Sequence, residues 1–363
     1  MSATLLWPLA AFVLTAAAIA VLRPLALRIG LTDKPNQRKQ HSGEIPLVGG
    51  LAIFIGATAV LFGSVILNRP VAPVDGILAW VVACTLLIAV GVVDDMRGLS
   101  PGVRFAAEIV AVLIMIYGGG ALLTDLGRLT PDESIVTLGW LAVPFTVFAA
   151  VGIINAFNMC DGLDGLSGNL ALVTLLAFGI ADGLWADSGR VAVTNVISAA
   201  VAGFLLFNQR MLWQHKAQVF LGDAGSMMLG LTLVWGAIDM SQGPERSLSP
   251  AVMLWFLMVP VFDTVRLLIR RALRGGSPFA ADSYHLHHLL IRAGFSVSEA
   301  IALICLAAAV GAGIGLLTQS LYLPELLIAV IFTVCGLVYY ALVERAWSRQ
   351  MLFGRPLIEK PVK

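Results

Sequence analysis

Charge is scarce in this chain: Asp, Glu, Lys and Arg make up 12% of its 363 residues, against 59% hydrophobic ones, where soluble domains run at roughly 25% and 45–50%. With a mean hydropathy of +0.91, water is excluded as the main solvent for most of the chain. The few charges nearly cancel, to +1 at pH 7, which argues against a nucleic-acid partner. Cysteine is equally sparse. Cys84, Cys160, Cys305 and Cys335 lie far apart, three of them inside apolar runs, so neither a disulfide framework nor a zinc site is expected. Internal repeats, low-complexity tracts and separate soluble domains are lacking too, because even the longest loops, 23–46 and 275–299, are too short to fold alone. No basic residue precedes the first apolar run, whereas Arg23 and Arg28 follow it. This reverses a signal peptide's pattern, so the run is expected to stay as an anchor.

The chain does have long apolar runs, bounded by Pro, Gly, Asn and charged residues. They fall at about 5–22, 47–67, 76–93, 105–123, 140–157, 166–184, 191–207, 226–238, 251–269, 300–317 and 321–342, the eighth being short for a span. The expectation is an all-α polytopic membrane protein of about eleven transmembrane helices, one domain over residues 1–363. An odd number of spans puts the termini on opposite sides. With the N-terminus outside, one face receives all of the 23 Lys and Arg residues except Arg69, Arg128, Arg190 and Arg246. Positive loops mark the cytoplasmic side, which predicts N-out and C-in. The cytoplasmic loops are then about 23–46, 94–104, 158–165, 208–225 and 270–299, and they hold all five histidines and most of the motif aspartates. Acidic groups at a membrane surface beside apolar helices and basic loops suit a divalent metal holding a diphosphate against an embedded acceptor.

Asn155-Ala-Phe-Asn-Met-Cys-Asp-Gly-Leu-Asp-Gly-Leu166 is the most specific feature. It places Asn155, Asn158, Asp161 and Asp164 in a short turn, where Gly162 and Gly165 permit tight curvature and close ligand approach. Phe220-Leu-Gly-Asp223-Ala-Gly-Ser226 opens the eighth run. Asp223 there either gathers a cation and anionic groups at a helix N-terminus or simply caps that helix. The doublet Asp94 and Asp95 needs a nearby cation, Arg97 or bound magnesium, or else a raised pKa on one of the two carboxyls. After Pro260, expected to kink the ninth span, Asp263, Arg266, Arg270 and Arg274 share one helix face. That face is a snorkelling stripe or a phosphate site. His285, His287 and His288 offer hydrogen bonds to sugar or phosphate, or metal ligation.

These residues, with Lys34-Pro-Asn-Gln-Arg-Lys-Gln-His41 and Ile45-Pro-Leu-Val-Gly-Gly50, stand in an order that resembles the polyprenyl-phosphate N-acetylhexosamine-1-phosphate transferases. The likeness covers nearly the whole chain and is clearest over 26–295. Ser277-Pro-Phe279 and His285-Leu-His-His288, followed by Arg292-Ala-Gly-Phe295, resemble the sugar-recognition loop of the bacterial branch that starts O-antigen and common-antigen synthesis. The three consecutive histidines and the Gly-Thr-Pro-Thr-Met-Gly-Gly segment usual in the muramoyl-pentapeptide branch are replaced, and Cys160 stands where Val, Thr or Leu is commoner.

The resemblance implies transfer of N-acetylglucosamine-1-phosphate, or a close N-acetylhexosamine-1-phosphate, from a UDP-sugar to undecaprenyl phosphate at the cytoplasmic face of the bacterial inner membrane. It also implies magnesium as cofactor, with manganese as a substitute, and leaves a homodimer open. Asp223, with Asp95, would hold the metal. Asp94 would engage the lipid phosphate or its proton, and Asp161 and Asp164 would line the nucleotide and metal site. Phe220 would stack on uracil and Asn208 would support the diphosphate region. Arg270, Arg271 and the three histidines would hold diphosphate and sugar, with Lys34, Asn155 and Asn158 as further substrate-binding groups. The rival classes are a secondary transporter, which places its carboxylates near the bilayer midplane, and a non-catalytic assembly protein.

Overall fold

In hydrocarbon a chain must satisfy its backbone within the segment or within a closed barrel, and the apolar runs here do so as helices. The computed structural model describes residues 3–34, 43–185, 190–211, 214–243, 246, 248–275 and 283–353. Among them lie thirteen α-helices: α1 (Ala3–Ile29), α2 (Gly49–Ile66), α3 (Val74–Arg97), α4 (Pro101–Gly119), α5 (Ala142–Cys160), α6 (Leu166–Trp185), α7 (Arg190–Asn208), α8 (Gly222–Ser241), α9 (Pro250–Phe256), α10 (Met258–Leu273), α11 (Leu286–Arg292), α12 (Val297–Ser320) and α13 (Glu325–Phe353). Residues 35–42 and 276–282, which carry most of the first basic motif and Ser277-Pro-Phe279, lie outside the described residues.

The protein is an all-α, multi-pass membrane protein. Eight helices, α1 to α6, α12 and α13, are each long and apolar enough to cross a bilayer, and α9 with α10 meets the same standard as a pair bent by 86°. The break falls at Leu257 rather than at Pro260 itself. A proline ring clashes with the carbonyl four residues before it, here that of Phe256, and lacks only an N–H that the first turn of a new helix leaves free anyway. Pro260 therefore ends α9 and sits comfortably in the first turn of α10.

The eighth run is short in sequence, yet α8 has 20 residues. It stands at the centre, packed on α2, α3, α5 and α6, with nearly every residue buried. A helix with so little lipid contact needs small side chains for close packing more than a continuous apolar surface. Gly50 shows how close: a Cβ there would lie 2.2 Å from the Cα of Gly225. That approach lets Gly49 N and Gly50 N donate to the carbonyls of Phe220 and Leu221 at 2.9 and 3.0 Å. A two-residue antiparallel ladder, β1 (Thr32–Asp33) with β2 (Ile45–Pro46), extends this seam, and Phe220 N donates to Pro46 O at 2.8 Å. The C-terminal ends of α3, α5 and α7 and the N-terminal ends of α2, α4, α6 and α8 consequently meet at one end of the bundle.

Candidate active site

Adjacent residues on a helix point about 100° apart, so the Asp94 and Asp95 carboxylates at the end of α3 serve different neighbours. Asp94 turns to the start of α4, where Oδ1 accepts from Leu99 N at 2.5 Å and Oδ2 from Arg104 Nη1 at 2.9 Å. Arg104, not Arg97, is thus its ion-pair partner. Asp95 turns to α8, and its Oδ1 accepts from Asp223 N at 3.2 Å. Its other oxygen, Oδ2, is buried with no hydrogen-bond partner among the described residues.

Asp223 is not the helix cap. That position belongs to Leu221, whose side chain makes no capping bond, and Asp223 projects from the first turn of α8. Its Oδ1 accepts from Asn158 Nδ2 at 2.7 Å, and its Oδ2 lies 3.9 Å from Arg104 Nη1. Asn158 Nδ2 also meets Ser226 Oγ at 2.9 Å, which ties the end of α5 to the start of α8. Asp161 follows at the end of α5 and lines the same cavity as Asp94, Asp95 and Asp223.

The other residues of interest divide into those facing this cavity and those turned to the scaffold. Asn155, Asn208, Phe220, Arg271, His285, His287 and His288 all line it. Asp164 lines it too, but its Oδ2 is bound by Arg210 Nε at 2.8 Å and approached by Ala217 N at 3.3 Å. Asn208 Nδ2 donates to Val219 O at 2.9 Å, bracing the 208–220 loop behind Phe220. Asn155 Nδ2 is committed to Glu108 Oε2 at 2.5 Å and Val151 O at 2.9 Å. Arg270 does not line the cavity. Its Nη1 donates to Glu344 Oε2 of α13 at 2.6 Å, and its guanidinium lies 4.0 Å over the Tyr284 ring. Lys34 also stands outside the cavity wall, exposed and paired with Glu44 Oε1 at 3.5 Å.

Of the stripe on α10, Asp263, Arg266 and Arg270 form a buried network rather than a snorkelling face, while Arg274 at its end is exposed. Asp263 Oδ1 accepts from Arg266 Nη2 at 3.1 Å and from Tyr339 OH at 3.0 Å, and its Oδ2 faces His285 Nδ1 at 2.9 Å. Arg266 Nη1 reaches Glu344 Oε1 at 2.8 Å, and Arg266 Nη2 also donates to the Tyr284 carbonyl. A carboxylate so surrounded by donors accepts only, which makes Nδ1 of His285 the donor. The rings of His285 and His287 stack 5.4 Å apart. Burial, with His288 next in order, pushes the His287 imidazole down to about 3, so it is neutral at pH 7. A Cβ on Gly162 would lie 2.3 Å from His287 Nε2. The space that this glycine leaves is taken by the histidine loop, which locks α11 against the Asp161 turn.

Arg104, Glu108, Tyr339 and Glu344 lie outside every motif, while Ser226 closes one of them without having been given a role. Of the four outside the motifs, only Arg104 carried a local signal: Gly98 ends α3 and Pro101 starts a new helix six residues after Asp95, which folds the first turn of α4 back onto Asp94.

Asp94, Asp95, Asp161 and Asp223, with Asp164 beside them, line one cavity, and carboxylates so gathered repel each other unless cations join them. The buried, unpartnered Asp95 Oδ2 beside Asp223 is suited to a hard dication. Among the described residues no three His, Cys, Asp or Glu side chains form a ready-made cage. A magnesium ion asks for less than that, because it keeps several waters and takes one or two carboxylates plus substrate phosphates. The donor set fits such an ion.

The glycosyl transferase family 4 model matches residues 77–241, from α3 to the end of α8. The undecaprenyl-phosphate alpha-N-acetylglucosaminyl 1-phosphate transferases of Escherichia coli O157:H7 and Yersinia pestis are each 36% identical to this chain, covering 93% of it and 90% of their own length. The protein of the same name in Haemophilus influenzae is 35% identical over 91% of each chain. With likeness running over almost the full length of both partners, the chain belongs to glycosyl transferase family 4, alongside these bacterial transferases.

Proposed function

We propose that the protein transfers N-acetylglucosamine-1-phosphate from UDP-N-acetylglucosamine to undecaprenyl phosphate, releases UMP, and so begins a lipid-linked surface glycan such as O-antigen. The observation that carries this reading is one cavity of about 2030 Å³ with two chemistries. Carboxylates, amides, arginines and histidines gather at one end, and an almost wholly apolar wall continues from them between α5 and α9–α10. A diphosphate sugar needs the first and a polyprenyl tail the second. A transporter would need its carboxylates deeper in the bilayer, whereas these stand at helix ends.

An oxygen of the lipid phosphate attacks the β-phosphorus of the nucleotide sugar. The bond from that phosphorus to the oxygen bridging the two phosphates breaks, and its electrons leave with UMP. A phosphate monoester has a second pKa near about 6, so much of the acceptor is already dianionic and needs no full base. Asp94, held through both oxygens by Leu99 N and Arg104, is placed to orient Arg104 and the acceptor rather than to become a covalent phospho-enzyme. Arg104 and Arg271 lie on the cavity wall and offset the anionic charge of the reacting phosphates. His285, with Nδ1 committed to Asp263, presents Nε2 as an acceptor for a sugar donor group. Magnesium, held by Asp95 and Asp223 with Asp161 near, would neutralise diphosphate and leaving-group charge; manganese would serve in its place.

The reading places the carboxylate end at the cytoplasmic face of the bacterial inner membrane, with eleven crossings, N-out and C-in. The deciding assay is purified protein with undecaprenyl phosphate, magnesium and a panel of UDP-sugars. UMP release and a sugar-diphospho-lipid product are expected with UDP-N-acetylglucosamine. Faster turnover with another UDP-N-acetylhexosamine would move the donor assignment, and no UMP release with any donor would reject the reaction.

A further inference from the structure

The cavity continues far beyond the carboxylates. Along α5 its wall runs through every turn from Met159 back to Phe145, a length of about 21 Å at 1.5 Å per residue. It ends at Leu123, Leu126 and Leu129, half-buried residues of the segment between α4 and α5. Phe148 on this wall is 76% exposed, so the groove is open sideways to lipid.

The segment that closes the groove is tightly built. Leu126 N donates to Val136 O and Val136 N to Gly127 O, both at 2.9 Å, and Leu138 N donates to Thr124 O at 2.8 Å, making a hairpin of residues 120–138. Gln242, directly after α8, pins it: the amide oxygen accepts from Thr124 N, Thr124 Oγ1 and Asp125 N at 2.8, 2.9 and 3.2 Å, and the amide nitrogen donates to Asp125 O at 3.1 Å. Arg246 Nη1 holds Asp125 Oδ1 at 3.1 Å, and Glu325 Oε2 at the start of α13 accepts from Arg128 N at 2.8 Å. None of these pinning side chains lines the groove. Polar bonds thus fix the hairpin from behind while its leucines face the cavity.

We propose that this pinned hairpin is the end-stop of the acceptor groove. Its leucines contact the isoprene units that lie about 21 Å along the tail from the phosphate end, and set a preference for polyprenyl phosphates long enough to reach them over shorter ones. The proposal rests on the reading of the acceptor as a polyprenyl phosphate. Continuity identifies the occupant, since the same cavity that holds the phosphate chemistry leads to the hairpin along an apolar wall. Each methylene that reaches the leucines exchanges loosely packed lipid for a fitted protein surface and gains dispersion contacts, and a tail too short to arrive gains nothing from them.

The test is steady-state transfer from UDP-N-acetylglucosamine by the full chain in lipid nanodiscs, with undecaprenyl phosphate and with diprenyl phosphate, whose tail is too short to reach the hairpin, as acceptors. Wild type, Gln242→Ala and the double variant Leu126→Ser/Leu129→Ser are compared. Wild type should use both lipids with the lower KM for the longer. Both variants should lose about tenfold in kcat/KM for undecaprenyl phosphate and stay near wild type with diprenyl phosphate, so the short acceptor reports that the fold and the chemistry are intact. Equal losses with both lipids, an unchanged ratio, or a wild type unable to use the short lipid would overturn the end-stop. A wild type that uses no polyprenyl phosphate of any length, while remaining folded, would instead overturn the functional reading beneath it.

Discussion

At Asp223 a metal-holding carboxylate and a mere packing group make opposite demands on one substitution. Asn keeps an oxygen that can accept from Asn158 Nδ2, the bond that Oδ1 of Asp223 makes at 2.7 Å, so Asp223→Asn should fold and survive detergent as wild type does. A neutral amide is a poorer ligand for a hard dication. Turnover should therefore fall by orders of magnitude, in line with about 3–4 kcal/mol of lost electrostatic stabilisation, and residual activity should need more magnesium. Near wild-type turnover with unchanged magnesium dependence would remove Asp223 from the metal site. His287 makes a separate, pH-resolved prediction. Its imidazole is pushed down to about 3 in the fold from an ordinary value near 6.5, so the unfolded chain binds the extra proton between those limits. Stability is then fully present above about pH 6.5 and is lost as pH falls, by about 2 kcal/mol at pH 5 from this one group. His287→Gln should flatten that part of the profile, and detergent melting curves at pH 7 and pH 5 measure it. Motif aspartates and amides were legible in the sequence because several polar groups in a short apolar context have few other uses. The partners that orient them were not, since Asp263 and His285, or Asp94 and Arg104, meet only once the helix ends converge.

At the scale of elements, apolar length alone located the helices, because a bilayer leaves a 20-residue apolar run little choice but helix. Pro260 announced a kink in 251–269, but neither its size, 86°, nor that the break would fall three residues before the proline could be read from apolar length. That turn swings α10 across the bundle and brings Arg266 and Arg270 to α13. There Glu344 accepts from both, at 2.8 and 2.6 Å, while Trp347 packs against Tyr284 with ring centroids 5.0 Å apart. The last helix thereby holds the segment that presents the histidines. Glu344→Ala leaves two buried guanidinium groups short of an anion, which should cost about 3 kcal/mol of stability and loosen the histidine loop. The expected result is a lower melting temperature in detergent together with a raised KM for UDP-N-acetylglucosamine, with Glu344→Gln between Ala and wild type. A melting shift with unchanged KM would limit α13 to a structural role.

For the whole molecule, one sidedness unites charge pattern, site and reaction. The helix ends that carry Asp94, Asp161, Asp164 and Asp223 converge at one end of the bundle, while Asp125, Arg128, Arg246 and Glu325 pin the hairpin at the other. Arg128 and Arg246 stand on the hairpin side; with Arg69 and Arg190 they are the four of 23 Lys and Arg residues that the N-out expectation assigns there, and a basic excess marks the side that stays in the cytoplasm. Sequence alone could read this asymmetry, because loop charge needs no tertiary information; the groove that joins the two ends depends on the packing of α5 against α9 and α10. The consequence is testable in intact cells. In a background without the four native cysteines, single cysteines at Asn68 and Asp132 should react with a membrane-impermeant thiol reagent from outside, and those at Ser100 and Ser283 only after the membrane is opened. UDP-sugars are made and kept in the cytoplasm, so the carboxylate end must face inward for the proposed reaction to run. Labelling of Ser100 and Ser283 positions from outside, with Asn68 and Asp132 protected, would invert the molecule and separate the site from its donor.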